Sequence, residues 1–150
     1  MHHTSYFVDI GSRSKKMGYK IKVDTNGTRP DRLRKLIALE LIDYIVLDFK
    51  APAEKHEDVT KSKTYCVFNE SLQLIRQHQV PFEVRTTWHS YLLSMEDLHA
   101  MVDFLVSQAY SGRYYIQRFM NGVTTLDDTL PASIQRLDVS RLSRPDIQVV

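Results

Sequence analysis

The stretch from Tyr19 to Lys50 constrains the fold most, because it contains a strand, a helix and a second strand in succession. Its first part, Tyr19 to Val23, alternates apolar and basic residues as a half-buried strand does. Asn26-Gly27 then favours a turn, and Pro30 suits the first turn of a helix. A second apolar run extends from Tyr44 to Phe49. Two strands joined by a helix predict a parallel, right-handed crossover.

Charged residues mark the ends of both predicted strands. Asp24 ends the first strand, and Asp48 and Lys50 end the second. The carboxyl ends of parallel strands meet at one edge of a sheet, and ligands of parallel α/β folds bind at that edge. We therefore predict that Asp24, Asp48 and Lys50 lie at the same edge and form the candidate site.

The remaining sequence repeats this strand and helix alternation. Apolar periodicity predicts two helices and three strands, with a further short helix near the end. The helices are Asn69 to His78, Ser94 to Gln108 and Pro131 to Leu137, and the strands are Pro81 to Trp88, Arg113 to Phe119 and Asp146 to Val150. Ser94 and Asp97 are spaced as in a capping box, which marks the start of the helix Ser94 to Gln108. These elements predict the α/β class. A closed eight-fold barrel needs roughly 200 residues or more, so the 150 residues are too few for that fold.

Arginine 85 lies on the predicted strand from Pro81 to Trp88, on the face opposite Phe82 and Val84. A charged side chain facing the inside of a barrel is unfavourable unless it is paired. Arg85 is therefore predicted to pair with a carboxylate such as Asp48 or with a substrate anion. An exposed arginine, or one paired to Glu83, is the alternative.

Composition indicates one ordinary globular domain spanning 1–150. The start at 1–18 shows no sustained period and is predicted to be irregular, apart from Ser12 to Met17, which with Gly18 just beyond them could form the last turn of a helix. Twenty basic and eighteen acidic residues leave a net charge of +2, which does not indicate nucleic-acid binding. No apolar run approaches the roughly 18 residues of a membrane span. The single cysteine, Cys66, excludes an intrachain disulfide and is predicted to be buried. A cytoplasmic protein without a membrane partner is expected.

Four ordered motifs carry a family resemblance, which covers roughly Met17 to Phe119. They are DTNGT at 24–28, VLDFK at 46–50, FEVRTTWH at 82–89 and YYIQRF at 114–119. Together they resemble the radical S-adenosylmethionine activating enzymes of glycyl-radical proteins, especially the activator of anaerobic ribonucleoside-triphosphate reductase. The resemblance implies a partial parallel (β/α) barrel of the radical S-adenosylmethionine type, truncated at the N-terminus, with residues 19–150 as its later strands. It also implies S-adenosylmethionine and a 4Fe-4S cluster as the family cofactors, and a glycyl-radical enzyme as partner.

The resemblance also implies roles for residues that match the motifs. Lys50 would engage the carboxylate of the methionyl group of S-adenosylmethionine. Asp24, Thr25 and Asp48 would form the acidic cluster at the strand ends, where the two aspartates could hold a cation. The residues that would flank the cofactor and the mouth of the site are Arg85, His89 and Gln117.

The sequence departs from the family at the cluster. The family holds its iron-sulfur cluster with three cysteines in a C-x-x-x-C-x-x-C loop and binds the methionyl amine with a glycine-rich strand, and neither motif occurs here. The resemblance thus implies a truncated or split enzyme that is inactive alone and lacks the cluster, with a missing N-terminal half as a possible partner. A non-catalytic interaction or cofactor-binding module is the alternative, and a fragment using Lys50 and the two aspartates as acid and base is a third.

The outer edge of the first predicted strand adds an expectation about assembly. A strand at the edge of a sheet exposes unpaired backbone groups to other chains. Self-association is therefore expected unless the N-terminal segment folds back over that edge.

Overall fold

The computed structural model describes residues 2–122, 129–134 and 136–150, with side chains from Tyr6 onward. Five α-helices occur in these ranges, and a short 3-10 helix at Ala53–Lys55 precedes the third of them; they are α1 (His2–Lys16), α2 (Pro30–Ala38), α3 (His56–Thr60), α4 (Tyr65–Gln77) and α5 (Met95–Ser107). None of the described helices is long and apolar enough to cross a membrane.

Five strands form one sheet in the order β1-β2-β3-β4-β5. The strands are β1 (Lys22–Thr25), β2 (Tyr44–Asp48), β3 (Phe82–Trp88), β4 (Gly112–Arg118) and β5 (Ile147–Val149). The pairs β1 with β2, β3 with β4, and β4 with β5 are all parallel. The parallel sheet with intervening helices confirms the predicted α/β class.

The chain divides into two compact units. The first comprises Met1–Leu47 and Cys66–Phe82, and the second comprises Asp48–Tyr65 and Glu83–Val150. The single-domain organisation predicted from the sequence stays a prediction.

The first unit is built on β1 and β2, with Lys22 opposite Tyr44 and Thr25 opposite Leu47. Residues 45 to 47 are fully buried, as expected for a parallel strand covered on both faces. The helices α2 and α4 complete the core with apolar side chains, which are Leu33, Phe68, Leu72, Leu74 and Ile75. A hydrogen bond of 3.0 Å from the Ile45 N–H to the Pro81 carbonyl joins β2 to the residue before β3.

The second unit contains β3, β4, β5 and α5. Its core combines the inner faces of the strands with one stripe of α5, and includes Phe49, Val84, Trp88, Leu98, Met101, Leu105 and Tyr114. The helix α5 begins with the predicted capping box, in which Ser94 Oγ accepts the Asp97 N–H and Asp97 Oδ2 accepts the Ser94 N–H. Asp97 Oδ2 also accepts a hydrogen bond of 2.6 Å from Lys55 Nζ.

The N-terminal segment differs most from the sequence prediction. The predicted irregular start at 1–18 is wrong, since α1 spans His2–Lys16. The helix ends in a glycine motif in which the Tyr19 N–H bonds the Ser14 carbonyl and Gly18 adopts φ +85°. The strand β1 accordingly starts at Lys22, three residues later than predicted. Because Tyr19 closes the helix end, it is not available to begin a strand.

Two further corrections concern α4 and the chain near Pro131. The helix α4 starts at Tyr65, four residues before the predicted Asn69, because Phe68 supplies a buried contact in its first turn. Cys66 is exposed rather than buried, since it points away from the face that carries Phe68 and Leu72. The described residues between 131 and 137 are irregular, so the short helix predicted there is absent from them.

Candidate functional site

The turn after β1 is fixed by its own side chains. Asn26 Oδ1 accepts the Thr28 N–H at 3.1 Å, and Thr25 Oγ1 accepts the Gly27 N–H at 3.1 Å. Gly27 adopts φ +72°, and its carbonyl accepts the buried Ser71 hydroxyl of α4 at 2.7 Å. Only glycine takes this conformation easily, so the motif DTNGT holds the carboxyl end of β1, with Asp24 and Thr25, in one geometry.

An ion-paired cluster lies at the carboxyl ends of β2 and β3. Asp48 Oδ1 accepts from Arg85 Nε at 3.1 Å, and Asp48 Oδ2 lies 3.4 Å from Lys50 Nζ. The predicted pairing of Arg85 with Asp48 is therefore present. The side chains of Asp48, Arg85 and Lys50 are 23%, 29% and 39% exposed, so a ligand can reach the cluster. One carboxylate between two cations leaves a local charge of +1.

The backbone between Asp48 and Lys50 is held by two hydrogen bonds to β3. The Phe49 N–H donates to the Arg85 carbonyl at 2.8 Å, and the Phe49 carbonyl accepts the Thr86 hydroxyl at 2.6 Å. Thr86 Oγ1 also bonds the hydroxyl of Tyr114, whose pKa is raised by complete burial. The buried hydroxyls of Thr86 and Tyr114 therefore fix the backbone of Phe49, the residue that precedes Lys50.

This arrangement suits an anion more than a metal ion. A lysine ammonium carries three donors, so Lys50 can bind a ligand carboxylate while it remains near Asp48. Asp48 already neutralises part of the charge of Lys50 and Arg85, which weakens its attraction for a further cation. Within the described ranges, no group of three or more His, Cys, Asp or Glu residues could hold a metal ion.

His89 follows β3 but is enclosed by the loops beyond it. Its side chain is 3% exposed, and its ring lies 4.8 Å from that of Phe119. His89 Nδ1 accepts the Tyr91 N–H at 3.1 Å. Burial lowers the pKa of His89, opposed by a backbone hydrogen bond with Pro131. These contacts join His89 to Tyr91 and Phe119 rather than to Asp48 or Lys50.

Gln117 lies on the open face of the sheet. Register pairs it with Thr87 of β3 and pairs Tyr115 with Arg85. Alternation along the strands therefore puts Gln117, Thr87, Tyr115 and Arg85 on one face, opposite the buried Val84. Gln117 is exposed, so it can contact a ligand that covers this face.

The sequence prediction missed the buried hydroxyl pair of Thr86 and Tyr114. A signal was available, because both residues occupy the inward phase of their strands, between apolar neighbours. His56 was also assigned no role. The side chain of His56 is buried, and its Nε2 atom lies 3.0 Å from Thr64 Oγ1. Burial lowers the pKa of His56.

Comparison with known proteins agrees with the fold and with the motifs. The structure is similar to a domain of the pyruvate-formate lyase-activating enzyme from Bacteroides vulgatus, with a TM-score of 0.67 and 13% identity over 84% of this chain and 79% of that chain. This similarity shows a shared α/β fold. No protein-family model matches the chain.

The sequence is 30% identical over 117 residues to a provisionally named glycyl-radical enzyme activating enzyme of Methanocaldococcus jannaschii. The match covers 75% of this chain and 48% of the relative, so the chain spans about half the length of that protein. The sequence similarity supports a relationship of this chain to the glycyl-radical enzyme activating enzymes.

Proposed function

We propose that this chain provides the S-adenosylmethionine-binding part of a radical S-adenosylmethionine activating enzyme for a glycyl-radical protein. The observation that carries the proposal is the cluster of Lys50, Asp48 and Arg85 at the carboxyl ends of two parallel strands. These residues belong to two motifs, VLDFK and FEVRTTWH, that resemble motifs of the activating enzymes. An anaerobic ribonucleoside-triphosphate reductase is the glycyl-radical partner that the motifs favour.

Lys50 binds the methionyl carboxylate in this proposal. The buried bond from Thr86 to the Phe49 carbonyl fixes the backbone beside Lys50, and Asp48 limits the positions open to its ammonium group. Arg85 neutralises Asp48, so that the carboxylate of Asp48 does not repel the incoming anion. Gln117 contributes polar groups on the open face. S-adenosylmethionine supplies the radical chemistry of the family when it is bound.

The residues present do not fit a 4Fe-4S cluster. Holding such a cluster takes about three protein thiolates, and the sequence contains one cysteine. Cys66 is exposed on the first turn of α4. We therefore assign the cluster to a part of the enzyme outside these 150 residues and the binding of the methionyl carboxylate to the residues present here. The same observation favours a second candidate, a cofactor-binding module without catalysis.

The binding role can be tested with S-adenosylmethionine titrated into the purified protein and followed by amide chemical shifts. We expect shifts near Lys50 and Phe49. Lys50→Ala should weaken the binding about tenfold or more, since a charge-assisted hydrogen bond contributes about 1.5–3 kcal/mol.

Lys63→Ala is the matched control, because Lys63 is an exposed lysine of the same unit outside the cluster. It should bind as the wild type does. Equal affinity of the Lys50→Ala and Lys63→Ala variants would refute the assignment of Lys50.

A further inference from the structure

The strand register aligns Lys50, Thr87 and Gln117 in one row across the second unit. The Phe49 N–H donates to the Arg85 carbonyl at 2.8 Å. In a parallel pair, this bond aligns Phe49 with the residue after Arg85, and therefore Lys50 with Thr87. Thr87 pairs in turn with Gln117 of β4. Neighbouring strands lie about 4.8 Å apart, so this Lys50 row spans about 10 Å between its ends.

The three side chains of the Lys50 row lie on the open face of the sheet. The chain neighbours of Lys50 and Thr87 are buried on the opposite face, and these are Phe49, Ala51, Thr86 and Trp88. Thr87 and Gln117 are exposed, and Lys50 is partly exposed. Among the residues that the structure describes, neither the Thr87 hydroxyl nor the Gln117 amide has a hydrogen-bond partner. Both polar groups can therefore bind a ligand that Lys50 anchors.

The Lys50 row is charged at one end only. The other charged side chains on the open face of β2, β3 and β4 lie in two rows nearer the amino ends of the strands, and each row combines an acid with a base. They are Asp48 and Arg85, then Glu83 and Arg113. Arg118 alternates to the opposite face, where it donates to the Leu137 carbonyl. A ligand along the Lys50 row therefore meets a cation at one end and neutral polar groups at the other.

We infer that Thr87 and Gln117 bind the nucleoside part of S-adenosylmethionine. This inference rests on the proposed function, in which Lys50 holds the methionyl carboxylate at the other end of the same molecule. The Gln117 amide carries a donor beside an acceptor, which matches the amino group and a ring nitrogen of adenine. The Thr87 hydroxyl both donates and accepts, so it can bond a ribose hydroxyl between the two ends. Gln117 thus selects the base, and Lys50 selects the amino acid.

The test compares two ligands that share the methionyl group and the sulfonium ion. S-adenosylmethionine carries the nucleoside, whereas S-methylmethionine has a methyl group in its place. Both are titrated into the purified ¹⁵N-labelled protein and followed by NMR. The side-chain amide resonances of Gln117 should shift with S-adenosylmethionine and stay in place with S-methylmethionine. Gln117 resonances that do not respond to S-adenosylmethionine overturn the inference.

Variants separate the two ends of the ligand. Gln117→Leu should weaken the binding of S-adenosylmethionine about fivefold or more, and Thr87→Val about twofold or more, because each variant loses neutral hydrogen bonds. Neither variant should change the affinity for S-methylmethionine. Lys50→Ala should weaken the binding of both ligands. Gln148→Leu is the matched control, because Gln148 is an exposed glutamine of β5 that pairs in register with Arg113, outside the Lys50 row.

Two outcomes distinguish failure of this inference from failure of the proposed function. If Lys50→Ala weakens the binding of S-adenosylmethionine and Gln117→Leu binds it as Gln148→Leu does, the nucleoside contact is refuted and the role of Lys50 stands. If Lys50→Ala changes the affinity for neither ligand, the proposed function is refuted and this inference falls with it.

Discussion

Replacing Gly27 by alanine should destabilise the protein strongly, because two separate costs meet at this position. Gly27 has φ +72°, and a side chain in the left-handed region costs about 1–2 kcal/mol. An added Cβ would also lie 3.2 Å from Phe68 Cδ2 and 3.3 Å from both Leu47 Cδ1 and Ser71 Cβ. Overpacking of a filled core costs about 1–3 kcal/mol. The free energy of unfolding should therefore fall by about 2–5 kcal/mol.

Gly18→Ala separates the two costs. Gly18 has φ +85°, but nothing lies within 4 Å of its added Cβ, so only the conformational cost of about 1–2 kcal/mol applies. Urea unfolding at 25 °C, followed by tryptophan fluorescence and circular dichroism, gives both values. Gly27→Ala should be the less stable variant by about 1–3 kcal/mol. A difference under about 0.5 kcal/mol would refute the packing argument for the turn of the DTNGT motif.

Two other predictions concern pH and activity. The unfolding free energy should fall as the pH drops below about 6.5, because burial lowers the folded-state pKa of His56 and His89 and the unfolded chain therefore binds protons at a higher pH. Urea titrations at several pH values should show a flatter pH dependence of the unfolding free energy for His56→Gln than for the wild type. Equal pH dependence in the two proteins would contradict this cause. The isolated chain should form no 5'-deoxyadenosine with a strong reductant after anaerobic iron and sulfide treatment, because it offers one thiolate and a cluster needs about three. Formation of more 5'-deoxyadenosine than the amount of protein present, by both the wild type and Cys66→Ser, would contradict this expectation.

The sequence predicted most elements correctly where periodicity and caps agree. The capping box of Ser94 and Asp97 located the start of α5 within one residue. The apolar run from Tyr44 located β2, whose buried residues need no polar alternation. The sequence indicated the last turn of helix α1 before Gly18, which the structure confirms. The earlier turns were missed because their mixed sequence shows no sustained apolar period. Local patterns therefore predict the type of an element better than the residues at which a helix ends and the next strand begins.

The candidate site was predictable in part. Strand ends and alternation indicated that Arg85 and Asp48 could meet, and the structure brings them together. The enclosure of His89 was not predictable, because it depends on Phe119, thirty residues farther along the chain. The Thr86 and Tyr114 pair likewise needs the register of β3 against β4. Contacts between segments far apart in the chain determine the environments of His89, Thr86 and Tyr114, and such contacts cannot be predicted from the patterns of a single sequence.

The carboxylate of Asp97 has a consequence for motion in the second unit. It closes the first turn of α5 through Ser94, and it also binds Lys55 in the segment that follows the Lys50 strand end. When that segment opens, the bond between Lys55 and Asp97 breaks, and the carboxylate of Asp97 loses the positive charge that neutralises it. The first turn of α5 should therefore fray at the same time. Relaxation measurements should then give the same exchange rate for the Lys55 and Ser94 amides. A common rate would mean that the loop beyond β2 and the start of α5 open together.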